Sequence, residues 1–154
     1  MEHCVVCATR GGQGSRAVQR EAIRRAKASG NTLVFLYVLE TNAMGPMEQS
    51  LRNSVREELA WLGKALVNAA RLRAREENID AEVVIREGDV REEICRFLEE
   101  SNASLLLLGA PRGTTTTIFG DDAAERFARA IQQDTNVMVE IVRPDFPKAV
   151  SSME

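Results

Sequence analysis

Four consecutive leucines, Leu105 to Leu108, held between Ala103 and Gly109, restrict this chain more than any other feature. Successive strand residues point to opposite faces, so an unbroken apolar run must be covered on both. Four further segments read as strands: Cys4 to Thr9, Thr32 to Leu39, Asp80 to Glu87 and Asn136 to Arg143, the last stopped by Pro144. Helical spacing fills the gaps between them. From Ser15 a helix places Val18, Ala22, Ile23 and Ala26 on one face and stops at Gly30-Asn31. After Gly88-Asp89 a second carries Val90, Ile94, Phe97 and Leu98, and Asp121 or Asp122 caps a third with Ala124, Phe127, Ala128 and Ile131 inward. Together with a longer helix from Glu48 to Glu77, this makes five strands alternating with four helices. Such alternation predicts right-handed βαβ units and an α/β fold with one doubly wound parallel sheet.

The long helix repeats Leu51, Val55, Leu59, Leu62, Leu66 and Ala70 at helical spacing, a stripe expected to face the sheet with Trp61 packed beside it. Its ~45 Å length exceeds what a small sheet can cover, so one end should project.

The 154 residues suffice for one core without staples, with a domain expected over 1–144 and a loosely held tail over 145–154. A net charge of −3 leaves no whole-domain footprint for nucleic acid. The start, Met1-Glu2-His3-Cys4, lacks a secretory n-region, and the apolar runs fall far short of the ~20 residues of a membrane helix. Three cysteines, an odd number, fit a reducing compartment, so the expected location is cytoplasmic. Cys4 and Cys7 form a C-x-x-C pair, but on one strand they point to opposite faces and cannot share an ion or a bridge. With His3 the only histidine, neither a zinc set nor a histidine-based triad is expected.

Two glycine-rich turns follow strands one and four. The first is Ala8-Thr9-Arg10-Gly11-Gly12-Gln13-Gly14-Ser15; the second runs from Gly109-Ala110-Pro111-Arg112-Gly113 through four threonines to Gly120-Asp121. If those strands are neighbours, both turns border one crevice at the carboxyl edge of the sheet, where open α/β sheets bind ligands.

These segments resemble the universal stress protein family. Thr9 to Ala17 looks like its strand-one signature, Leu36-Tyr37-Val38-Leu39 its second strand, and Leu105 to Val142 its glycine motif, last helix and valine-rich last strand. The resemblance implies strand order 3-2-1-4-5, a homodimer through strand five (Val137, Val139 and Ile141 here), and, in many members, ATP in the crevice. Carried over by position, Val38 would hold adenine, Ala8 and Arg10 the ribose side, and Gly109, Gly113 and Gly120 the phosphates; Thr9, Leu108, Arg112 and Asp121 are further candidates to line the site.

The ATP-binding members place aspartate where this chain has Arg10, and serine or threonine where it has Asp121. Their pattern, G-x2-G-x9-G, becomes three and then six intervening residues between Gly109, Gly113 and Gly120. A carboxylate ~5 Å from a phosphate charge costs roughly 3 kcal/mol at an effective dielectric of about 20. That corresponds to about two decades of affinity. The expected crevice is therefore of nucleotide type but ill-suited to a triphosphate, with Arg10 and Asp121 either paired across it or acting as solvated cation and helix cap. ATP, another adenine nucleotide or a small anion gathered by Arg10 and Arg112 is the candidate ligand.

No activated nucleophile or paired acids accompany these residues, so binding rather than catalysis is expected, with slow nucleotide hydrolysis as the alternative. Gly12 to Ala17 also matches G-x-G-x-x-A, with Glu40 closing strand two, which reads as a small NAD-binding module. A pure interaction module, its apolar edge strand covered by a partner, is the remaining class.

Overall fold

The computed structural model describes residues 3–9, 13–40, 45–109 and 123–143. In chain order the elements are β1 (Cys4–Ala8), α1 (Gln13–Ser29), β2 (Thr32–Leu39), α2 (Gln49–Glu76), β3 (Glu82–Glu87), α3 (Val90–Glu100), β4 (Ala103–Gly109), α4 (Ala123–Thr135) and β5 (Met138–Val142). All four pairings are parallel and the sheet order is β3-β2-β1-β4-β5. Strands one and four are thus neighbours, with Ala8 beside Leu36 on one side and Leu108 on the other.

Strand alternation divides the core between the two sheet faces. Val5, Cys7, Phe35, Leu105 and Leu107 pack with α1 and α2, while Cys4, Val6, Leu36, Leu106 and Leu108 pack with α3 and α4. Cys4 and Cys7 fall on opposite faces as expected, and burial pushes their thiols up to about 11 and about 12. The inward residues expected of α1 (Val18, Ala22, Ile23 and Ala26) are all buried.

α2 corrects the expectation for most of its stripe, of which only Ala70 is fully buried. Its buried residues are Gly63, Val67, Ala70 and Ala74, whereas Leu51 and Leu62 are exposed and Trp61 is 73% exposed. The helix lies so close to the sheet that a Cβ on Gly63 would come within 2.4 Å of the Tyr37 ring. Small residues are what such an approach admits, and leucines are displaced to the outer side. The buried positions begin at Gly63, and the N-terminal half carries none, its Arg56 pairing with Glu87 at the end of β3 at 2.8 Å.

Each helix ends on a left-handed residue: Gly30 (φ 75°), Asn78 (φ 64°), Asn102 (φ 55°) and Asn136 (φ 61°). After α2 the Asn78 and Ile79 amides donate to the Arg75 and Ala74 carbonyls, both at 2.9 Å, closing the otherwise open last turn. Asp89 caps α3, its side chain accepting from the Glu92 amide at 3.1 Å. Residues 144–154, including the expected tail, lie outside the described part.

Candidate functional site

β1 is flanked by β2 and β4, whose connections leave toward opposite faces of the sheet, and the strand order reverses there. At the carboxyl ends of these three strands lies a cleft of about 230 Å³. Ala8 and Thr9 come from the end of β1, Leu36 and Val38 from β2, and Leu108 and Gly109 from β4. Val90 and Ile94 of α3 form one wall, and Ala123, Ala124 and Phe127 of α4 form the other. All of these side chains except that of Thr9 are apolar, so the described walls suit a flat, weakly polar group.

Two polar features interrupt that lining. Thr9 is 2% exposed, and its Oγ1 is buried without a hydrogen-bond partner of normal geometry among the described residues. The hydroxyl is close enough to the Cys7 sulfur to ease the rise in that thiol's pKa, but no group completes a bond of normal geometry to Oγ1. Cys7 packs beneath α1 and α2, so the hydroxyl beside its sulfur turns to that side of the sheet. The second feature is the β2 backbone. Thr9 N donates to Leu36 O at 2.8 Å, and Gly88 N donates to Leu39 O at 3.0 Å on the opposite edge. Alternation along the strand turns the Val38 amide and carbonyl to the same side as those of Leu36, beyond the last residue of β1. They face the cleft, where a ligand edge can pair with them.

Five of the ten expected site residues are therefore brought together: Ala8, Thr9, Val38, Leu108 and Gly109. Arg10, Arg112, Gly113, Gly120 and Asp121 lie outside the described residues, and with them the expected pairing of Arg10 and Asp121. Leu36, Val90, Ile94, Ala123, Ala124 and Phe127 were not expected to line a site. Their helical spacing marked several of them as core, and Leu36, Val90, Ile94 and Phe127 are both core and wall.

The surroundings are held by ion pairs on the outer surfaces. Arg91 joins α3 to α4 through Asp134 at 2.6 Å. Arg86 of β3 pairs with Glu100 at 2.6 Å and lies over the Phe97 ring, 5.3 Å from its centroid. These fix the helices that form the walls without placing charge inside. Among the described residues no group of three or more histidine, cysteine or carboxylate side chains could hold a metal ion. No described helix is long and apolar enough to cross a membrane. Gly14, the second glycine of the G-x-G-x-x-A match, lies inside α1, several residues past the end of β1, and Gly12 lies outside the described residues.

Among curated proteins no match to this sequence was found. Solved structures resemble it at low identity. A universal stress protein of Lactobacillus plantarum superposes with a TM-score of 0.71 at 15% identity, over 92% of this chain and 97% of its own. An Arabidopsis thaliana member of that family, with AMP bound, gives a TM-score of 0.62 at 15% identity, over 93% of this chain and 92% of its own. A universal stress protein in complex with cAMP gives 0.63 at 21%, over 94% and 98%. At these identities the likeness shows the fold. The model of the universal stress protein family matches residues 1–142, nearly the whole sequence, and the chain belongs to that family.

Proposed function

We propose that this protein is a cytoplasmic regulator of the stress response that binds an adenine nucleotide in the cleft and does not turn it over. The observation that carries the reading is the cleft itself: apolar walls at the carboxyl ends of β1, β2 and β4, and the Val38 backbone turned toward the open space. An adenine ring fits such surroundings, its faces against Val38, Ile94 and Leu108 and its polar edge toward the strand-two backbone. Arg10, Arg112, Gly113, Gly120 and Asp121 complete the proposed site from the two turns. The nucleotides in the two similar structures, AMP and cAMP, each carry one phosphate. That agrees with the charge argument, since Asp121 in place of a hydroxyl opposes a triphosphate more than a monophosphate.

The test is direct. The purified chain is denatured and assayed for released nucleotide, and AMP, ATP and NAD are titrated by calorimetry. AMP is expected to bind at least about tenfold more tightly than ATP. Replacing Arg10→Asp together with Asp121→Ser is expected to raise ATP affinity. ATP binding as tight as AMP binding in the unaltered protein would overturn the charge argument, and no binding of any nucleotide would leave the interaction module. The reading includes a homodimer through β5, supported by its position at the sheet edge.

A further inference from the structure

The outer side of α2 carries a self-complementary surface. Trp61 is 73% exposed and Leu72 is 56% exposed, and neither is covered by any described element. Helical residues advance by ~100° and ~1.5 Å each, so these two side chains lie on one line ~16 Å apart. Ala65 and Asn68 stand between them on the same line. Glu57 lies one turn before Trp61 and Arg75 nearly one turn after Leu72. Both are exposed, and neither has an ion-pair partner among the described residues.

We propose that this face binds α2 of a second copy of the chain, antiparallel and across a two-fold axis. Reversing one helix against the other sets Trp61 against Leu72 of the second copy and Glu57 against Arg75 of the second copy, each contact occurring twice. The small Ala65 at the midpoint lets the axes approach. A parallel arrangement would instead bring Glu57 to Glu57 and Arg75 to Arg75. A foreign partner would require no such match between the two ends of one helix, and that match is what identifies the occupant.

Two features limit the strength of the contact. Glu58 and Glu76 stand on the opposite rim, further round the helix, where the same arrangement brings them toward each other. The overlap, ~27 Å long and ~10 Å wide, covers ~300 Å² per copy. A standard stable interface covers about 800 Å² per partner, so the association is weak and concentration-dependent.

Trp61 is the only tryptophan, so its emission reports on this face alone. The whole chain is followed by sedimentation velocity and intrinsic fluorescence between about 1 and about 500 µM. The expected result is a blue shift of emission that rises with concentration alongside association. Glu57→Arg should weaken association at least about tenfold, and adding Arg75→Glu to it should restore most of the loss. Glu76→Lys should tighten it by about threefold, by turning a repulsion into an attraction. Circular dichroism melting of each variant checks that these surface changes leave the fold intact. An emission maximum that stays constant over the whole range would overturn the proposal. So would association indifferent to charge reversal at Glu57, or failure of the double variant to recover. Association through β5 alone leaves Trp61 emission unmoved, so the two interfaces are separated by one measurement.

Discussion

The sheet face beneath α1 and α2 is filled to contact, whereas the face beneath α3 and α4 opens at its carboxyl end. On the first, alanines do the fitting: Ala22, Ala26, Ala70 and Ala74 are at most 1% exposed, and Gly63 lies against the Tyr37 ring. On the second, bulkier side chains hold the helices away, and Leu108, Ile94 and Phe127 border a space instead of closing it. Both faces rest on the same strands, so the difference comes from the helices. A helix that presents small residues can sit down on a sheet along its length, and one that presents Ile94 or Phe127 near its start stands off there. The open end coincides with the switch point beside β1.

Core truncation on the two faces gives the largest expected contrast. Phe35, fully buried on the closed face, should cost ~3–5 kcal/mol as Phe35→Ala, because nothing can enter the void. Leu108→Ala, at the cleft, should cost only ~1–2 kcal/mol, since water already reaches its neighbourhood. Urea unfolding of both variants decides the matter. Equal losses would mean that the cleft is no more open than the opposite face.

Gly63→Ala sharpens the account of the closed face. In an ordinary helix interior the change would stabilise by about 1 kcal/mol. Here the new Cβ would meet Tyr37 Cδ1 at 2.4 Å, so ring or helix must move. Overpacking should outweigh the gain and leave a net loss of ~1–2 kcal/mol by chemical denaturation. If the variant is more stable than the parent, the close approach of α2 is not a constraint.

This contact also explains where the sequence was hard to read. Strand runs such as Leu33 to Leu36 and Leu105 to Leu108 announced burial on both faces, and the sheet order followed once a family resemblance joined them. α2 misled, because Leu51, Val55, Leu59 and Leu62 have core spacing while Gly63, Val67, Ala70 and Ala74 do the packing. Nothing local distinguishes an alanine that packs from one that fills a surface, since the distinction depends on how near the sheet comes. The cleft was legible at the strand ends, in Ala8, Thr9, Val38, Leu108 and Gly109, because the fold dictates where a crevice opens. Its helical walls were not, because Ile94 and Phe127 look alike whether a helix lies flat or diverges.

Thr9, at the end of β1, gives a test of smaller amplitude. Thr9→Val keeps the shape and removes a buried hydroxyl that has no partner of normal geometry among the described residues. The unliganded protein should gain about 1 kcal/mol by thermal or chemical unfolding. If a nucleotide satisfies that hydroxyl, AMP affinity should fall by about tenfold in the same variant, so stability and binding move in opposite directions. A gain in stability with unchanged AMP binding would separate the hydroxyl from the ligand.

The smallest effects should ignore the difference between faces altogether. Asn78 ends α2 on the closed face, and Asn102 and Asn136 end α3 and α4 on the open one, all with φ between 55° and 64°. A left-handed residue is a local demand of the helix end, met by Asn at modest cost and by Gly at none. Asn→Gly at any of the three should therefore change stability by only a few tenths of a kcal/mol, and Asn→Ala should cost about 1 kcal/mol at each. Measured as a set of six variants by urea unfolding, the three positions should agree. A larger loss at Asn102 and Asn136 than at Asn78 would mean that the helix ends on the open face depend on their side chains to hold α3 and α4 away from the sheet. The contrast between the faces would then begin at the amino edge and not at the cleft.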